Sequence, residues 1–286
     1  MRFLVLLAVG VPVCVSAQGQ PGGDDGVARC AAELKALSMA GTDVARDSIN
    51  MLLKTTMRTV LDQEQAMEVP FTDVPMGIVE PPDKAFRLFT WNVPREDGSH
   101  RFEGFLLLDR RKGPLLIELT DRTKAIGPPE NVELEPDHWY GAIYYGVVPQ
   151  KRGGKTYYTL LGWKGYSKVE TRKVIDVLRF RGDAPRFGAP LFDEGGVKKQ
   201  RRVFAYSFQA SMSLRYDPNT QRIVFDHLSP VRADMEGQPS FYGPDLSYDA
   251  YFWDKGTWTY QRDVDARGNE GEKRPWNAPP KGGRQR

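Results

Sequence analysis

A chain of 286 residues with 40 basic against 37 acidic side chains carries a formal charge of only +3 at neutral pH. So even a balance supplies no electrostatic footprint for a nucleic acid partner. With 40% apolar and 11% aromatic residues, the composition is that of a globular chain able to bury a core, not of a low-complexity one.

The first element is a targeting segment. Arg2 is followed by an almost wholly apolar run over 3–15, and Val15-Ser16-Ala17 supplies the small residues of a cleavage site. Residues 1–17 are therefore read as a signal peptide removed after Ala17. The apolar run is too short for a permanent spanning helix, and Val13 before Cys14 is too bulky for a lipid-modified start. The expected product is exported, periplasmic or extracellular, and has no transmembrane segment. Cys30 is then its one remaining cysteine, so packing must stabilise it without an intramolecular disulfide.

Residues 18–26, rich in Gly, Pro, Gln and Asp, predict a flexible leader. A helical segment follows over 27–65. Ala28, Ala31, Leu34 and Leu37 recur at helical spacing up to Gly41. A second helix starts from Thr42 or Asp43 as N-cap and presents Ile49, Leu52, Leu53, Met57, Val60 and Leu61 on one face. That face is expected to pack on a sheet; the alternative is a partner-binding helix.

The remaining 66–265 read as one antiparallel β domain. Prolines at 70, 75, 81 and 82 punctuate its start, and strand patterns begin at Ala85. Residues 86–91 and 102–108 flank the turn signal Asp97-Gly98, and 115–119 form another short run. Residues 139–148 and 157–163 are apolar at both odd and even positions and predict a central hairpin covered on both faces. In 172–180, Val174 and Asp176 face opposite to Ile175 and Val177. From Phe204 the chain alternates Phe, Tyr, Phe, Ala, Met, Leu, Tyr with polar neighbours up to Asp217, which predicts one long strand turning at Asp217-Pro218-Asn219-Thr220 into 223–225. A polar loop is expected over 228–244, a last hairpin over 248–262, and a disordered tail over 266–286. Hairpins in series predict a mainly β fold, an antiparallel meander forming a sandwich or barrel-like domain with one or two N-terminal helices, or alternatively a small β-propeller.

Residues 86–91, 139–145, 158–163, 174–180, 223–228 and 243–249 resemble a family of functionally uncharacterised exported bacterial proteins. The resemblance covers 86–263 and implies a place in the cell envelope. It carries no catalytic residue across.

Asp137-His138 ends a loop and Asp226-His227 ends a strand, with Asp245 and Asp249 in another, Gly-Pro-bearing turn. Gathered at one rim, they could act as acid and base in an envelope hydrolase or metal-dependent enzyme. Adjacent strand residues point apart, however, so Asp226 and His227 share a site only across a bulge. No metal-ligand spacing and no nucleophile elbow is present, and no cofactor is indicated. The aromatic hairpins offer the other reading. Trp139, Tyr140, Tyr248, Tyr251, Trp253 and Trp258 would stack on an envelope polysaccharide or a protein partner if exposed, or fill a core if not. The basic clusters 198–202 and 110–112 are expected to be solvated loops or edge guards. The leading expectation is a non-catalytic binding or scaffold module.

Overall fold

The computed structural model describes residues 21–265. The expected signal peptide over 1–17 and the tail over 266–286 lie outside the described residues. Helix α1 (Pro21–Met39) begins within the stretch expected to be mobile. Gly26 explains this: a Cβ there would stand 2.5 Å from Val60 Cγ2, so glycine lets α1 close on α2 (Asp43–Leu61). Thr42 caps α2 by accepting a hydrogen bond from the Ala45 N–H at 3.3 Å.

The strands then run β1 (Gly77–Val79), β2 (Phe86–Pro94), β3 (His100–Leu108), β4 (Leu115–Thr120), β5 (Ile143–Arg152), β6 (Lys155–Gly165) and β7 (Glu170–Arg181). After these come β8 (Ala184–Phe187), β9 (Phe192–Glu194), β10 (Val197–Lys199) and β11 (Arg202–Ser207). The chain closes with β12 (Leu214–Asp217), β13 (Arg222–Pro230), β14 (Tyr242–Asp254) and β15 (Thr257–Gln261). They form three sheets. The first is β1-β2-β3-β4, the middle one is β11-β7-β6-β5 with β8 on β7, and the outer one is β10-β9-β15-β14-β13-β12. Every pairing is antiparallel except β15 with β9. None of these sheets closes into a barrel. The mainly β antiparallel class with two N-terminal helices is therefore the observed one, and the sheets stack in layers instead of radiating as propeller blades.

Strand alternation dictates the layering. Phe89, Trp91 and Val93 of β2 face the helices, whereas Phe86 and Leu88 face the middle sheet. In β7, Val174 and Leu178 turn toward the first sheet while Ile175 and Val177 turn toward the outer one. The middle sheet is thus buried on both faces, as the unbroken apolar runs of β5 and β6 predict. Gly162 is needed there, because a Cβ would lie 2.9 Å from the Tyr144 ring on the neighbouring strand. On α2, Leu53, Met57, Val60 and Leu61 bury against the first sheet. That cover removes the partner-helix reading, although Leu52, expected on the same face, is 52% exposed.

Three elements differ from expectation. The alternating stretch from Phe204 is two strands in two sheets: β11 pairs with β7 and β12 pairs with β13. Between them the chain turns, with the Ala210 N–H donating to the Ser207 carbonyl at 3.0 Å, and Phe208 is 57% exposed. Serine-rich sequence offers the backbone such local bonds in place of a ladder. The loop expected over 228–244 is shorter at both ends, since β13 runs to Pro230 and β14 starts at Tyr242. Trp139 and Tyr140 precede β5 instead of opening it, because Gly141 at φ +70° breaks the extended chain.

Phe208→Ser is expected to change unfolding free energy by no more than about 0.5 kcal/mol, whereas Leu214→Ala costs about 2–5 kcal/mol. Urea unfolding followed by circular dichroism reads both. Equal costs would mean that Phe208 faces a core after all.

Candidate functional site

The structure brings one of the expected histidine–aspartate pairs together. A bulge between Asp226 and Leu228 interrupts the β13–β14 register. His227 Nδ1 lies 2.7 Å from Asp249 Oδ2, which also accepts the Tyr260 hydroxyl at 2.7 Å. Asp249 Oδ1 accepts the Asp263 N–H at 3.2 Å, and the carboxylate is buried. With Nδ1 carrying the proton toward Asp249, Nε2 presents its lone pair to the Arg262 guanidinium 3.5 Å away. Asp226 is directed elsewhere and caps the Ser213 N–H at 2.7 Å. Asp245 and Asp249, expected in a turn, both lie within β14. Asp245 holds the irregular stretch of that strand: it accepts from the Ser247 hydroxyl at 2.7 Å, which keeps its carboxyl below the usual range, with the backbone N–H of Ser247 and nearby His227 helping. Asp137 and His138 pair at 3.1 Å on an exposed turn over Pro136–His138, apart from this cluster.

An imidazole oriented by a buried carboxylate is half of a general base. Here the other half is a guanidinium, not a hydroxyl or thiol to be activated. Among the described residues, no group of three or more His, Cys, Asp or Glu side chains is placed to hold a metal ion. Cys30 is buried in α1, and burial, with Glu33 adding, pushes its thiol up to about 12, so it is inert as a nucleophile.

Four of the six rings expected to meet a ligand are core instead. Trp139, Tyr140, Tyr251 and Trp258 are buried. Their polar tips are satisfied inside: Trp139 Nε1 donates to the Tyr144 hydroxyl at 3.2 Å, and Trp258 Nε1 to Thr159 Oγ1 at 2.9 Å. Tyr140 accepts from Arg172 at 2.7 Å, and the Tyr251 hydroxyl accepts from Arg202 at 2.9 Å while donating to Glu194. Such amphipathic rings fill a core when their one polar atom finds a partner. Tyr248 and Trp253 are half-buried and keep part of their surface in solvent.

Two buried charged centres, the Asp176–Arg201 pair and Lys164, carry the polar interior, and neither was expected from the sequence. Asp176 accepts from the Tyr144 hydroxyl, from its neighbour's Val177 N–H and from Arg201 Nε, at 3.0, 2.8 and 3.0 Å. Arg201 belongs to the cluster expected to be solvated, yet its side chain is 0% exposed. Its other nitrogens donate to the carbonyls of Pro129, Val132 and Phe187. The second charge is Lys164, 1% exposed. Its ammonium donates to Thr123 Oγ1, Tyr140 O and Gly141 O at 2.8, 2.6 and 2.8 Å, with the rings of Phe102 and Tyr140 at 4.4 and 4.6 Å. Burial pulls the Lys164 ammonium down to about 7, against the opposing pull of Asp121. All three protons are engaged and the amine is enclosed, so it holds the 121–141 segment in place instead of attacking a substrate.

Among the described residues, the surface clefts include two of similar size. One, of about 640 Å3, runs between α1 and the first sheet, with Leu34, Lys35, Asp73, Pro75 and Trp91 among its walls. The other, of about 630 Å3, lies beside the tip of the β5–β6 hairpin and is lined by Pro82, Asp83, Pro149, Gln150, Thr156 and Trp253. Neither includes His227 or His138. Compared with models of protein families, with curated proteins and with solved structures, the chain matches none.

Lys164 sets a pH dependence. The folded lysine gives up its proton near pH 7, and an unfolded one near about 10.4. Between those values the unfolded chain binds more protons, so stability rises as pH climbs through the window and the burial penalty is fullest below it. Unfolding free energies measured from pH 7 to 10 should therefore rise in the native protein and flatten in Lys164→Met. An identical slope in both proteins would assign the effect to other groups.

Proposed function

We propose that the chain is an exported cell-envelope protein, a non-catalytic binding or scaffold module for a polymer or protein partner. Its residues 1–17 have the pattern of a secretory leader. The observation that carries the reading is the division of polar groups between core and surface. The charges that elsewhere do chemistry, Asp176, Arg201 and Lys164, are spent on holding backbone carbonyls and loops. The surface meanwhile offers a cleft on rigid strands with an accessible indole at Trp253. A binding module needs a fixed scaffold and an open concavity with rigid walls.

The enzyme alternative keeps one observation in its favour, the His227–Asp249 hydrogen bond. It sits outside both clefts, and its free nitrogen is turned to Arg262 instead of to a substrate-sized space. In a binding module His227 and Asp249 tie β13, β14, β15 and the segment after it together.

The affinity-tagged protein, captured from envelope extracts and tested alongside on arrays of envelope polysaccharides, is expected to retain a discrete polymer or protein partner. His227→Ala should retain that partner equally well. Hydrolysis of any panel polymer that is lost in His227→Ala would overturn the non-catalytic reading.

A further inference from the structure

We infer that the cleft beside Trp253 is a saccharide site, taking uncharged pyranose units of a glycan chain. The inference rests on the binding-module reading and gives it a place and a ligand chemistry.

The platform is rigid. Trp253 contacts Trp258 edge-on, with ring centroids 5.2 Å apart at 69°, and Trp258 is itself fixed to Thr159 by its indole N–H. Trp253 therefore presents part of its ring from a locked position, and the flat C–H face of a pyranose is the natural complement of an indole face. Pro82 and Pro149 extend the apolar wall. Around it stand groups suited to vicinal hydroxyls: the Gln150 amide donates and accepts, the Thr156 hydroxyl does both, and the Asp83 carboxylate accepts. Asp83 is pre-oriented, because it takes the Tyr158 hydroxyl on one oxygen at 2.8 Å and the Ala85 N–H on the other at 3.3 Å. Carboxylates keep further lone pairs for a ligand. Lys151 at the same cleft offsets the charge of Asp83, so the local balance favours an uncharged ligand.

The volume of about 630 Å3 is that of a small-molecule site, and the cleft is open to solvent beside the β5–β6 hairpin tip. A peptide added as an extra strand is the competing ligand, since β5 is the edge of the middle sheet. Pro149 stands against it. Proline has no N–H to give, and on an edge strand it blocks the ladder a peptide would need. Recognition at this edge must therefore run through side chains, and those present are the ones a sugar uses.

The test is titration of the full chain with uncharged hexasaccharides of glucose, mannose and xylose, and separately with extended peptides, read by indole fluorescence and calorimetry. At least one hexasaccharide is expected to bind, with affinity falling at least about tenfold in Trp253→Ala and about threefold to tenfold in Gln150→Ala. Trp253→Tyr, which keeps a ring, should retain most of the affinity and guards against loss of fold. No hexasaccharide binding, binding unchanged in Trp253→Ala, or peptide binding lost in Trp253→Ala would overturn the inference. Any of these results together with a partner captured from the envelope would leave the binding-module reading in place.

Discussion

Everything in this molecule is arranged around one ion pair placed where water does not reach. Asp176 sits on β7, the strand whose neighbours Ile175 and Val177 face the outer sheet while it faces the first, and Arg201 meets it with both side chains fully enclosed. A lone charge there would be prohibitive, so each must be satisfied completely. The result is a hub. Through Arg201 it collects the carbonyls of Pro129, Val132 and Phe187, and through Tyr144 it reaches Trp139. Gly188 makes this possible, with φ at +99° and only 3.1 Å between its would-be Cβ and an Arg201 nitrogen. The 129–132 segment and the end of β8 are thereby fixed to the middle sheet by charge-assisted hydrogen bonds.

That fixation explains why the aromatic residues do not behave as a binding surface. With the middle sheet sandwiched, Tyr144 and the neighbouring Trp139 point into one core and Trp258 of the outer sheet into the other, and each finds its polar partner there. Arg87 does the same for the connector after α2: its Nη1 donates to the Ala66 and Val69 carbonyls at 3.1 and 2.7 Å, with the Phe71 and Phe89 rings beside it. The polar interior is structural. Trp253, at a hairpin end, is left partly in solvent.

Much of this was legible in the residue pattern. Period-two alternation and two-sided apolar runs place β2, β3, β5, β6 and β7 and make the middle sheet doubly covered; a 3.6 period and the Thr42 cap place α2. Two things escaped. Alternation cannot reveal a change of sheet, so the stretch through Phe208 reads as one strand although Ser207 turns it. Nor can a single sequence tell a solvated basic run from a buried arginine: Arg201 and Arg202 look alike beside Lys198 and Lys199, yet one of them completes the core. A signal was present in Asp176, a carboxylate amid Val, Ile, Val and Leu, which demands a cation from elsewhere in the chain. At the site, the pairing of His227 with Asp249 required a bulge that no residue type announces.

The most direct measurement is a double-mutant cycle on this hub, using Asp176→Asn, Arg201→Met and the combination, with unfolding free energies from urea titration. A pair that organises the core predicts single losses of about 3–5 kcal/mol and a coupling well above about 0.5 kcal/mol, the double variant losing far less than the sum. Losses that simply add to within that margin, in proteins still folded, would contradict the account.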